Sequence, residues 1–279
     1  MMKWADQEKQ RKKLRAKLKA IIQQAINNDD GFARLRGLSD EEWQTAQKDE
    51  TLGEQLEEPF PPGRNWSVLV DSLTNVQKLV HLAMRYDVVD QERIRGELLS
   101  VRRLAYEDEL NIQAANVGCA GRKARLGNGS ILSALNDMSE RDAISIVNTY
   151  NYDLAIAIRN IATEVPTANR YTYAARLRDW ETARSKWKTP QIEQFTESSA
   201  RSLAQADFFR QNGELMGTAR LEPRSAVCPI CQGWIARGAV PVRIALNNPS
   251  PYHVGCPHSW NITPKRVPRS ECPLLWMGE

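Results

Sequence analysis

Cys228-Pro-Ile-Cys231 and, after twenty-one intervening residues, His253-Val-Gly-Cys256-Pro-His258 decide how the C-terminal part of this chain is read. Zinc takes four thiolate or imidazole ligands at the corners of a tetrahedron. A CxxC pair turns the backbone so that both sulfurs aim at one point, and a second pair returns after an excursion of hairpin size. The excursion here holds Gly233, Gly238, Pro241, Pro249 and Pro251, with a β-like run at Val240-Pro-Val-Arg-Ile. Three of the five cysteines and two of the three histidines fall within the 31 residues 228–258, a density that ties them to one local site. The competing readings are small buried apolar side chains and a redox CxxC, but no βαβ pattern precedes the pair. One structural zinc ion is therefore expected on Cys228, Cys231, Cys256 and a histidine. His253 and His258 compete for that fourth place, and the other imidazole would orient a ligand by hydrogen bonding. Cys272 stands in reserve. Four protein ligands leave no position for water, which favours a structural ion whose binding free energy is folding free energy. Trp234 and Trp260 flank the site and are expected to pack over it.

The segment before this module is helical in character. Thr189-Pro190 reads as an N-cap and first helical position, so one helix is expected over about 170–187 and another over about 190–211, with Gly213 as its stop. Trp180 and Trp187, seven apart on the first of these, read as core. Pro166 ends an earlier helix in which Ile144, Val147, Leu154, Ile158 and Ile161 keep 3–4 spacing. Ser139, with Asp142 three residues on, reads as its capping box. Asn151 occupies one seam position, where it either sets register or oligomer state or faces solvent. Further helices are expected over about 76–86 and 91–107, before a loop punctuated by Gly118, Gly121, Gly127 and Gly129. That loop lacks the GK[ST] ending of a phosphate-binding loop.

Towards the N-terminus, residues 1–27 read as a basic helix. Lys9, Arg11, Lys12, Lys13, Arg15, Lys17 and Lys19 crowd it, while Leu14, Leu18, Ile21, Ile22 and Ala25 form an apolar stripe. The cations could meet nucleic-acid phosphates or an acidic protein partner, or simply be solvated. A membrane-surface helix would need more interfacial anchors than Trp4. Residues 29–65 are acidic, with a Ser39/Glu42 capping box and a helix-breaking Pro59, Pro61, Pro62, Gly63 stretch. The expected organisation is a 1–65 arm, a 66–213 helical body and a 214–279 metal-binding module. The expected fold class is mainly α, an elongated helical body with a small α+β zinc-bound module at its end.

The bulk numbers narrow the class. The chain has 279 residues, 26% charged, with a formal net charge of +4. No run of eighteen apolar residues offers a transmembrane helix, and the charged N-terminus has no signal-peptide core. Folding in a cytoplasm is expected. Four of the five cysteines lie after residue 225 and Cys119 stands alone, which speaks for a local thiolate site and against a disulfide framework.

The C-terminal third resembles the head morphogenesis, or minor head protein, family of tailed bacteriophages. The resemblance rests on a helix with Thr196-Glu197 followed by Ala200, Ala204 and Ala206, then the strand Thr218-Ala-Arg-Leu-Glu. It continues through Cys228/Cys231 to the close Pro249-Ser-Pro-Tyr-His253-Val-Gly-Cys256-Pro-His258. It covers about residues 190–260. Val254 stands where the family carries proline, Pro257 replaces an arginine, and His258 replaces a second cysteine, itself a sensible ligand exchange. The resemblance implies a virion structural protein in several copies, associated with the portal and other head proteins inside the capsid. It would be assembled in the host cytoplasm and then carried in the virion, with packaged DNA as a further partner and no membrane. No catalysis is expected, since no GxSxG, HExxH or HxE…PCxxC pattern is present. The alternative is a zinc-knuckle nucleic-acid-binding protein or an HNH-like nuclease, whose catalytic histidine would compete with the metal for His253 and His258.

Overall fold

The computed structural model describes residues 4–56, 65–124, 126, 129–221, 228–250, 258 and 260–278. The Pro59–Gly63 stretch, Gly127, Pro251, His253 and Cys256 lie outside the described residues. The described residues are mainly helical, and the strands among them are gathered near the C-terminus. The helices are α1 (Trp4–Ala25), α2 (Asp29–Gly37), α3 (Asp40–Ala46), α4 (Trp66–Asp71), α5 (Asn75–Met84), α6 (Val88–Asn116), α7 (Ser130–Glu164) and α8 (Arg170–Gln211). After them come β1 (Thr218–Leu221), α9 (Pro229–Arg237), β2 (Ala239–Pro241), α10 (Val242–Asn247) and β3 (Trp260–Thr263).

Packing groups the chain into two compact units. One comprises residues 1–22, 97–139 and 189–279; the other comprises 23–96 and 140–188. The boundaries fall inside α1, α6, α7 and α8, so each of these helices gives residues to both units. They do not coincide with the changes of sequence character near residues 65 and 213.

The first unit holds the sheet. Its order is β2-β1-β3, antiparallel throughout, with Ala219 opposite Val240 and Ile262, and Leu221 opposite Trp260. Strands alternate their side chains between faces. Here Ala219, Leu221, Trp260 and Ile262 are buried and join the aromatic end of α8, Phe208 and Phe209, and the α6 residues Leu110 and Ala114 in one core. Gly217 is needed just before β1, because a Cβ there would lie 2.1 Å from the Thr263 carbonyl oxygen. Of the expected strand at 218–222, the described residues 218–221 form β1. The β-like run at 240–244 is strand only to Pro241 and then turns into α10.

The second unit is built around buried polar groups. Asn28 caps α2 by accepting from the Gly31 N–H, and its side-chain amide donates to the Met84 carbonyl and to the Tyr150 hydroxyl, each at 2.6 Å. Tyr150 stacks on Tyr86 with ring centroids 4.0 Å apart. Asn151 is half-buried, and its side chain is engaged within the chain. Its amide donates to the Tyr86 carbonyl and its oxygen accepts from the Tyr86 N–H, so it clamps the α5–α6 connection within the chain. Buried His81 is held neutral, its pKa lowered to about 4 by desolvation, and its Nε2–H donates to the Asn151 carbonyl at 2.8 Å.

Two helix boundaries differ from expectation. Ser139 lies inside α7, fully buried, where its hydroxyl donates to the Leu135 carbonyl one turn back and accepts from Arg102. A serine satisfied by its own helix needs no cap position. Thr189-Pro190 does not start a helix either. α8 runs unbroken through Pro190, which sits beside the boundary between the two units at residues 188 and 189. Trp187 is half exposed and not core. The Ser39/Glu42 capping box is present as expected.

Glu181 carries a pH prediction. Its carboxylate accepts from the Asn28 N–H at 3.2 Å, while its other oxygen is buried without a hydrogen-bond partner. Burial raises its pKa to about 7, against the lowering effects of the Asn28 N–H, Arg184 and Arg178. The folded state therefore binds the proton more tightly than the unfolded chain. Its stability contribution is complete below the ordinary glutamate value and declines as pH rises from about 4.5 to 7. Glu181→Gln should stabilise the fold at pH 8 by about 1–3 kcal/mol and be near neutral at pH 4.5. Urea denaturation at the two pH values tests this; an equal effect at both would refute it.

Candidate metal centre

Cys228 is the N-cap of α9, with Pro229 in the first helical position, where a missing N–H costs nothing. Its sulfur accepts from the Cys231 N–H at 3.5 Å. The two sulfurs are 3.4 Å apart and not joined. Two thiolates on one tetrahedral zinc, at ~2.3 Å each, stand about 3.8 Å apart, so this pair needs only a slight opening to bind. Cys231 is fully buried in the core of the first unit and Cys228 packs against that core.

On the return side, His258 is the one described candidate ligand. His258 is fully buried and lies two residues ahead of Trp260, the residue paired with Leu221 at the end of β1. From Leu221 the chain needs seven residues to reach Cys228. Trp234, one turn beyond Cys231, packs edge-on against Trp260 with centroids 5.5 Å apart, and the Trp260 indole N–H donates to the Asn248 carbonyl at 2.8 Å. The expected pair of tryptophans thus ties the helix that carries CxxC to the strand that follows His258. On the near side of the return, Ser202 donates to the Ser250 carbonyl. His253 and Cys256 fall between these anchors and outside the described residues. Among the described residues no group of three His, Cys, Asp or Glu side chains is gathered tightly enough to hold a metal.

Cys272 leaves the ligand set. It forms a disulfide with Cys119, 153 residues away in sequence, with Cα atoms 5.4 Å apart. The expectation that Cys119 stands alone and that no disulfide forms is therefore corrected. The pair closes where the turn after α6 meets the C-terminal segment. There the Val267 N–H donates to the Val117 carbonyl, and Arg122 donates to the carbonyls of Pro273 and Leu275.

The basic helix is docked, not free. Leu18 and Ile22 are fully buried, so this part of the stripe packs inside the chain. Lys13, Lys17 and Lys19 are exposed, and Arg15 reaches Glu197 at 3.5 Å. Lys9, Arg11 and Lys12 lie on the same helix, with side chains outside the described set. Among the described residues no helix is long and apolar enough to cross a membrane.

A buried network was not expected from the sequence. The Arg201 guanidinium meets Glu197 at 2.8 Å, Glu109 at 3.0 Å and Asp108 at 2.8 Å. Gln113 and Gln205 donate to the same Glu109. Burial pulls the Arg201 pKa down, but attraction from Glu109, Glu197 and Asp108 outweighs it and raises the pKa above the ordinary value. Glu197 and Arg201, four apart on one helix, carry a legible signal of pairing; Glu109, 92 residues from Arg201, carries none. No family model, curated protein or solved structure matches the chain.

Proposed function

We propose that this chain is a non-catalytic structural component of a tailed-phage head, a minor head protein associated with the portal and inner capsid, whose C-terminal module is held by one zinc ion. The observation that carries the reading is the paired Cys228 and Cys231 at the start of α9, joined through Trp234 and Trp260 to the strand that follows His258. A closed four-ligand site would use such a cysteine pair, and this pair lies in the stretch that resembles the minor head family. Cys228 and Cys231 would supply two thiolates, and Cys256 with His258 or His253 the rest. The ion would supply a cross-link between two chain segments and no open position for substrate.

The surroundings fit a structural role. His258 is fully buried and His81 is locked neutral in the interior, so neither described histidine is presented to a substrate. The exposed lysines of α1 offer a polyanion-facing surface to packaged DNA or an acidic head protein. Assembly in the host cytoplasm and residence in the virion follow from the same proposal.

Elemental analysis of the purified chain tests the site. About one zinc per chain is expected, lost in Cys256→Ser, and residues 214–279 of that variant should become protease-sensitive while the helical remainder stays resistant. No metal in the wild-type chain would overturn the metal reading. Co-sedimentation with heads and portal from a producing lysate tests the virion role; a chain found only in the soluble fraction would overturn it.

A further inference from the structure

In the second unit, α7 and α8 leave an open groove of about 540 Å³ between them. The two helices are joined by a short connection, 165–169, and run antiparallel, with Asp153 meeting Arg184 at 3.5 Å. Ile156, Ala157, Ile161 and Ala183 make an apolar floor. Trp180 and Trp187 stand over it from α8, and Trp187 is 50% exposed, with the Lys188 ammonium over its ring.

The spacing of these groups selects a ligand shape. Seven residues on an α-helix return to nearly the same face about 10.5 Å along the axis. An extended polyproline strand rises ~3.1 Å per residue, so prolines three apart stand about 9.3 Å apart, matching the two indoles. Charge selects the third position. At the Trp187 end Asp153 and Arg184 neutralise each other, with Arg184 also stacked over Trp180 and Tyr150, and the Lys188 ammonium, 4.8 Å from the Trp187 ring centroid, adds one positive charge. At the other end Glu164 and Asp179 face a single cation, Arg176, which leaves one negative charge over. Asp179 lies about 12 Å from the level of Trp187 along α8. The Asp153–Arg184 register places Glu164 about 21 Å from it. A residue two beyond the second proline falls ~15.5 Å from the first, between these carboxylates.

We propose that this groove is a docking site for a proline-rich extended segment of a partner protein, of pattern Pro-x-x-Pro-x-Arg, with its prolines on Trp187 and Trp180 and its arginine between Asp179 and Glu164. Aromatic grooves take such strands because the polyproline conformation is formed before binding and loses little entropy. The site is independent of the metal centre and of the virion role.

The test is calorimetric titration of the full chain with a capped Pro-Phe-Pro-Pro-Gly-Arg peptide, a sequence of the required pattern that also occurs at residues 59–64. Saturable binding is expected, weakened about tenfold or more by Trp187→Ala. The affinity should also fall when the peptide's arginine is replaced by glutamate, and Asp179→Lys should reverse that preference. Trp187 is half exposed, so its replacement leaves the fold intact, which circular dichroism verifies. Equal binding of a peptide with its prolines changed to alanine would overturn the proposal. So would an unchanged affinity in Trp187→Ala, or a self-association of the chain that Trp187→Ala abolishes, which would identify a second copy as the occupant.

Discussion

Arg201→Ala should cost the first unit about 3–5 kcal/mol, the loss typical when one partner of a buried ion cluster is removed. The reason is asymmetry. With the guanidinium present, Glu109, Glu197 and Asp108 each meet a cation within 3.0 Å. Without it, Glu109, which is 3% exposed, is left as a charge in the interior with only amide donors from Gln113 and Gln205, and Glu197, 5% exposed, keeps only the longer contact to the half-exposed Arg15, at 3.5 Å. Leaving such a charge uncompensated costs far more than the pair gains when formed. Arg201→Lys should fall between, because an ammonium keeps the charge but cannot present the planar fork that reaches three carboxylates at once. Urea denaturation of the three proteins gives the order wild type, lysine, alanine. An alanine variant within 1 kcal/mol of wild type would mean that water solvates this cluster.

Where the network sits gives the Thr196-Glu197 pair a physical meaning. Glu197 lies on α8 between the α1 cation Arg15 and the α8 cation Arg201, and through Arg201 it joins Glu109 on α6. Gln205, one turn further along, reaches both Glu109 and the carbonyl of Trp260 in β3, 3.4 Å away. The helix that carries the family-like residues is therefore tied by side chains to the basic helix, to α6 and to β3. A change at Arg201 is expected to be felt in the C-terminal module as well as in the helices.

Local chemistry was legible in the sequence, and remote pairing was not. The Ser39/Glu42 box, the buried Leu18 and Ile22 of the N-terminal stripe, the strand at 218–221 and the cysteines of α9 all follow from residues within four positions of one another. Ser139 misled because Ser-x-x-Asp has the pattern of a cap, while the helix interior offered its hydroxyl a carbonyl at Leu135. Thr189-Pro190 misled for a related reason: a proline lacks one hydrogen bond wherever it stands, and tertiary burial of Thr189 outweighs that local preference for a break. Asn151 sat correctly on the helix seam, but its partner Tyr86 lies 65 residues away, and no spacing rule names it. The Glu109–Arg201 contact and the Cys119–Cys272 bond fail for the same cause, since charge and thiol content carry no information about distant partners.

Breaking the Cys119–Cys272 bond should destabilise the chain by about 3–5 kcal/mol. The bond closes a loop with a sequence separation of 153 residues, and in the chain-entropy account the restriction of the unfolded state grows with the logarithm of that length. Local contacts do not replace it. Arg122 donates to Pro273 and Leu275, but the first of these contacts is exposed and contributes little by itself. Cys272→Ser and Cys119→Ser should each lower the denaturation midpoint by the same amount, and the double variant should be no worse than either, because all three remove one bond. Additive losses would instead show two separately packed thiols. A thiol count gives the direct check. Of five cysteines, two are in the disulfide, so the denatured, chelator-treated and unreduced chain should show three reactive thiols. A count of five would mean that the bond is absent in solution, and reducing agent should then leave the melting curve of the wild-type chain unchanged.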